Sequence, residues 1–210
     1  MIFFKNNFYL IVLVTGLTSC GHKNVIPDCV CKADEIKLSS LNLSDVNNQV
    51  YAVKQKITLN GKPFNGKIID CYEDKIRFRG ISKEGLLNGQ GIIYSNNITI
   101  VNFKNGLLDG KWKSFSYDSS LIEEGHFKNH KQHGKYRSFL NGRLWQEGEY
   151  KNDYVDGRYY IYKENGNIDE VIEFKNGIVK NCVGDCDEFS EGDDDYGMGY
   201  PSGYYIRDFL

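Results

Sequence analysis

The stretch GKYRSFLNGRLWQEGEYKND, residues 134–153, decides how the whole chain is read. It opens on Gly-basic-aromatic, turns at Asn141-Gly142 and closes on aromatic-Lys-Asn-Asp. Asn-Gly between two alternating segments is a strong short-range hairpin signal, because both central residues of a two-residue turn take positive φ. The neighbouring stretches repeat the pattern: GKWKSFSYDSSLIEEGHFKNH at 110–130 and GRYYIYKENGNIDEVIEFKNG at 157–177. The glycines that open successive units (Gly66, Gly89, Gly110, Gly134, Gly157) stand 23, 21, 24 and 23 residues apart. The aromatics that close them (Phe103, Phe127, Tyr150, Phe174) stand 24, 23 and 24 apart. Two independent markers with one period predict an array of like units, each of two short strands.

Working outward, the copies become irregular. NGKPFNGKIIDCY at 60–72 and ISKEGLLNGQGIIY at 81–94 supply the first two, with Gly91 where later units carry Trp112, Tyr136 or Tyr159. His130 and Asp153 replace the turn glycine, and the last strand is expected to stop at Asn181. The expected fold is all-β: an elongated single-layer antiparallel meander of about eleven short strands, over residues 50–181. Strand side chains alternate faces. Tyr136 and Ser138 therefore share one face, and Lys135, Arg137 and Phe139 the other. Equivalent positions should stack in columns: Trp112, Tyr136, Tyr159; then Phe115, Phe139, Tyr162. Gly125 and Gly148 fall two residues before Phe127 and Tyr150, so they leave room for a neighbouring ring. The ring column is read first as core. The same rings with the nearby cations, that is Trp112, Tyr136, Tyr159, Arg137 and Arg158, form the candidate interaction surface.

EEGHFKNHKQHGKYRSF at 123–139 and QEGEYKNDYVDGRYYIY at 146–162 resemble MORN repeats, and the period of about 23 with NGKPFNGK at 60–67 resembles the bacterial variant of that repeat. The resemblance implies a twisted sheet with no enzymatic site of its own and a role in binding or scaffolding. Bacterial proteins with this repeat are often labelled antitoxin-like, which implies the alternative of an immunity protein that neutralises a toxin.

Composition agrees with a turn-rich β protein: 22 Gly, 15 Tyr and 12 Phe against 3 Pro and 2 Met. With 26 Lys+Arg against 28 Asp+Glu the formal charge is −2, which argues against a nucleic-acid partner. The acids gather at the end. Residues 182–210 carry eight of them and Arg207, and with their Gly and Tyr they read as a disordered acidic tail.

Residues 1–19 read as an export signal: Lys5, an apolar run over 8–17, then small residues. LTSC at 17–20 resembles the lipobox of bacterial lipoproteins. That resemblance implies cleavage before Cys20, lipid on Cys20 and attachment to a membrane of the cell envelope. Residues 20–49 lack periodicity and read as a lipidated tether. Of the other cysteines, Cys29 and Cys31 flank the repeats on one side and Cys182 and Cys186 on the other. An oxidising compartment allows arm-to-end pairing or closure of Cys182 on Cys186. Cys71, in a column position, reads as a small buried thiol. His126, His130 and His133 cluster near one turn and read as turn residues; no metal and no cofactor is expected. The sequence contains no GxSxG, no Walker loop and no HExxH, so no enzyme is expected. The expectation is a non-catalytic protein-binding module on a lipid anchor. Envelope lipid or glycan binding is a further alternative, from the mixture of basic and aromatic residues.

Overall fold

The computed structural model describes residues 26–37, 42–44 and 56–184, and all of their regular structure is strand. Four short strands come first: β1 (Glu35–Lys37), β2 (Asn42–Ser44), β3 (Lys56–Leu59) and β4 (Lys62–Pro63). Then follow β5 (Gly66–Tyr72), β6 (Lys75–Lys83), β7 (Leu86–Leu87), β8 (Gly89–Tyr94), β9 (Ile98–Lys104), β10 (Leu107–Leu108) and β11 (Gly110–Phe115). The last are β12 (Leu121–Lys128), β13 (Lys131–Leu140), β14 (Arg143–Lys151), β15 (Tyr154–Val155), β16 (Gly157–Tyr162), β17 (Ile168–Lys175) and β18 (Ile178–Val183). Fifteen strands share one sheet, in the order β1-β5-β6-β8-β9-β11-β12-β13-β14-β16-β17-β18, with β7, β10 and β15 on its margin. β2, β3 and β4 form a separate three-stranded sheet.

The all-β, mostly antiparallel expectation agrees with this architecture. The expected eleven strands undercount it. The two-residue strands β7, β10 and β15 carry too few residues to register as alternation in a sequence. A further strand, β1, pairs in parallel with β5 and closes one edge of the sheet.

Each unit begins at a tight turn. Asn105 and Gly106 sit at φ 52° and 83°, and His130 and Asp153 adopt the same left-handed conformation at 69° and 80° without the freedom of glycine. What holds them there is a bond to the preceding unit. Gly85 N–H donates to Phe64 O, Gly106 to Leu87 O, His130 to Leu108 O, Asp153 to Gln132 O and Gly177 to Val155 O, all at 2.7–3.0 Å. The residue before the opening glycine adds a cap in several units. Asn65 Oδ1 accepts from Glu84 N–H, Asp109 Oδ2 from Asn129 N–H and Asp156 Oδ2 from Asn176 N–H. Units are thus tied turn to carbonyl as well as strand to strand, and the register survives where glycine is missing. The Asn165-Gly166 turn differs from these: only Gly166 has positive φ, and Lys163 and Asn167 close a longer loop, as Ser116 and Ser120 do around Ser119.

One hydrophobic cluster runs the length of the array on one face, from Ile57 and Phe64 to Phe174 and Val179. Trp112 lies against Phe127 and Tyr136, Tyr136 against Tyr150, and Tyr159 against Phe174, with ring centroids 5.7–6.4 Å apart. Tilted and edge-on pairs at these distances add about 0.5–1.5 kcal/mol each beyond the area they bury. Leu108, Val155 and Val179 from the turn side join the same cluster. Two glycines make the ring column possible. A Cβ on Gly125 would stand 2.7 Å from Trp112 Nε1, and one on Gly148 would stand 2.3 Å from Tyr159 Cδ2. Beside the rings runs a line of small polar groups. Thr99 donates to Ser114 Oγ, and Ser138 and Tyr159 both donate to Gln146 Oε1. Burial of these hydroxyls is therefore compensated by partners on the same face.

Gly148→Ala should lower the unfolding free energy by about 1–3 kcal/mol, the usual cost of forcing atoms into a packed core. Urea titration measures it, and an unchanged midpoint would show that Tyr159 does not sit on Gly148. Burial also pushes the hydroxyls of Tyr136, Tyr150 and Tyr159 well above the ordinary value of 10.0. A raised folded-state value means the stability is intact below pH 10 and lost above it, because the unfolded chain ionises first. In an alkaline titration these three tyrosines should ionise only together with loss of the strand circular dichroism.

Candidate functional site

The second face of the sheet is a single cross-strand ladder. Following the register from strand to strand, its central row reads Ile69, Arg79, Ile92, Ile100, Lys113, Glu124, Arg137, Glu147, Tyr160, Val171, Val183. Beside it, towards the hairpin tips, runs a row of apolar pairs: Cys71 with Ile76, Tyr94 with Ile98, Phe115 with Leu121, Phe139 with Leu144, and Tyr162 with Ile168. Most of these pairs lie next to a register shift, so the strand bends where the apolar side chain is set. This outer face has apolar ends and a charged middle.

The middle alternates in sign. Lys113 meets Glu124 at 3.0 Å, Glu124 meets Arg137 at 3.3 Å and Arg137 meets Glu147 at 3.4 Å. Partial burial raises the Glu124 carboxyl, but Lys113 and Arg137 more than offset this and hold it below the ordinary carboxylate value. Tyr162 donates to Glu147 Oε1 at 2.8 Å; desolvation, with that carboxylate second, pushes its hydroxyl up to about 12. Each of these pairs is partly solvated and contributes roughly 0.2–1 kcal/mol, so the row adds little to stability.

The N-terminal end of the face is already occupied by the chain itself. Residues 26–31 form a strap over Ile69 and Ile76, with Ile26 and Cys29 packed into that cluster. Asp28 bridges to Lys75, Ile76 N–H donates to Pro27 O, and Cys29 N–H donates to Asp74 O at 2.7 Å. Cys29 and Cys71 are joined by a disulfide. Arg79 holds the strap from the face below: its guanidinium donates to Val30 O at 2.9 Å and pairs with Glu35 at 3.1 Å. Asp34 pairs with Lys67, and Asp28 with Lys75. The strap then reaches the sheet edge as β1, where Ile36 packs against the main core. An extended segment with acids and small apolar side chains is thus seen docked on this face.

The residues singled out in the sequence fall differently. Trp112, Tyr136 and Tyr159 keep only 1%, 5% and 2% of their surface, so they are core and cannot form the interaction surface expected of them. They point to the face that the clustered rings close. Arg137 lies on the outer ladder, and Arg158 is exposed on the same face of β16. Cys71 occupies the expected column position but is disulfide-bonded to Cys29, not a buried thiol. Cys31 is free and exposed. Cys182 is disulfide-bonded, to a partner outside the described residues; Cys186, Cys20 and residues 1–19 also lie outside them. Part of the segment expected as a tether, residues 26–37, is built into the sheet. Among the described residues no group of three or more His, Cys, Asp or Glu is placed to hold a metal ion. The strap residues Asp28, Asp34 and Glu35 and their clamp Arg79 are the site residues that sequence reading missed. Their one signal is the cysteine parity between Cys29 and Cys71.

Cys29→Ser should cost about 2–4 kcal/mol of stability, as for a disulfide closing a loop of this size. The loss should not be added to by Cys71→Ser. Thermal unfolding of the two single variants and the double variant measures this, and additive losses would place the bond elsewhere.

No protein-family model matches the chain, and no curated protein matches it.

Proposed function

We propose that this chain is a lipid-anchored, non-catalytic binding module of MORN-type units, and that its outer face receives an extended acidic and apolar segment of a protein partner. The observation that carries the reading is the strap. Acids on Lys67, Lys75 and Arg79, with Ile26 and Cys29 in the apolar cluster, are an intramolecular counterpart of such docking. The same two rows continue across the later units, where the strap does not reach, and there Lys113 and Arg137 take the place of Arg79. The period of about 23 residues and the inter-unit turn bonds support the MORN-type reading. The LTSC string supports the anchor, which would hold the module at an envelope membrane.

Two measurements test the reading. Partners captured by the full chain should be lost with Arg137→Glu combined with Phe139→Lys, and kept with Lys128→Glu on the exposed end of β12. Identical partners for all three chains would overturn the outer-face assignment. A fatty-acid analogue fed to cells should label the wild type and leave Cys20→Ala unlabelled; equal labelling would remove the anchor.

A further inference from the structure

The outer row ends on apolar side chains far from the strap. Tyr160, Val171 and Val183 close the ladder, with Tyr162 and Ile168 beside them. Val183 leaves 63% of its surface exposed and Ile168 51%, and the Tyr160 and Tyr162 rings lie 6.5 Å apart. At the opposite end, Ile69, Ile76 and Tyr94 form the apolar cluster that Ile26 and Cys29 pack against. Both ends of one face are apolar, and the chain segment that precedes the sheet covers the first.

The chain leaves the sheet at the second. β18 finishes on Val183, the last residue of the row, and the sequence continues to Leu210. From β18 back to Phe139 on β13 is four strand spacings, about 19 Å, which six or so extended residues can span. The 26 residues beyond Gly184 fall into two parts. The first, 185–195, carries seven acids and a single large apolar residue, Phe189. The second, 196–210, carries Tyr196, Met198, Tyr200, Tyr204, Tyr205, Ile206, Phe209 and Leu210. Acids alone are enough to solvate a terminus; eight large apolar side chains in fifteen residues call for burial. Arg143 and Arg158, exposed near the patch, complement the acidic part. The strap has the same make-up: Asp28, Asp34 and Glu35 with Ile26, Cys29 and Val30.

We infer that residues 196–210 dock on the C-terminal end of the outer face, around Tyr160, Tyr162, Ile168, Val171 and Val183. Residues 26–31 already do the equivalent at the N-terminal end. The chain covers both apolar ends of its own ladder, and the charged middle from Lys113 to Glu147 is the part left to a partner; this last clause alone rests on the functional reading above.

The test uses the full chain with Tyr205→p-benzoylphenylalanine, irradiated dilute and in isolation, with cross-links mapped by mass spectrometry. The expected products are intramolecular and join residue 205 to residues 160–183. Ile168→Asp with Val183→Asp, both at exposed positions, should cut their yield at least fivefold while melting stays unchanged. Cross-links to other parts of the sheet, links only between two copies, or no links at all would overturn the inference. The measurement needs no partner. A tail that fails to dock therefore leaves the Arg137→Glu capture result standing, and a failed capture leaves the cross-links standing.

Discussion

The array depends on one contact, a ring seated where a side chain is missing. Trp112 lies over Gly125 and Tyr159 over Gly148 with less room than a single methyl group needs. Because the ring reaches across to the adjacent strand, each strand is fixed in register by its neighbour and not only by its own turn. A hairpin of this size is marginal alone, and neighbour contacts supply the stability. The rest follows from that packing. Once rings claim one face, the alternation of strand side chains sends the charged and remaining aromatic residues to the other.

Much of this was legible in the residues. The period of the opening glycines, the alternation in GKYRSF and the two glycines before Phe127 and Tyr150 all appear in the structure where they were placed. Two features were not legible, for separate physical reasons. Solvent exposure of a ring cannot be read from alternation, since both faces of a strand carry the same period. Trp112, Tyr136 and Tyr159 could therefore have been surface, and the packing made them core. β1 and the strap were hidden because their pairing is non-local. Glu35–Lys37 are too few residues to show a period, and their partner strand lies 32 residues further along the chain. Only a contact between distant segments turns that stretch from tether into structure.

The candidate site moved to the opposite face for the same reason. Arg137 survives from the sequence reading because its position beside Tyr136 puts it on the other side of the strand. What it joins, a row of alternating charge flanked by apolar pairs, arises only when strands stand side by side. A row one residue deep and eleven strands long suits recognition of an extended segment more than of a compact ligand.

The parallel pairing of β1 has an effect on assembly. An antiparallel ladder that ended on β5 would present the same hydrogen-bonding pattern that each internal strand offers its neighbour, and a second copy could extend it without limit. Instead a strand of three residues, running the same way as β5, sits on that margin. Its slanted bonds and short length give an incoming antiparallel strand almost nothing to continue. The segment that tethers the first unit by a disulfide is therefore also the device that keeps a repetitive sheet from growing into a fibre at that edge.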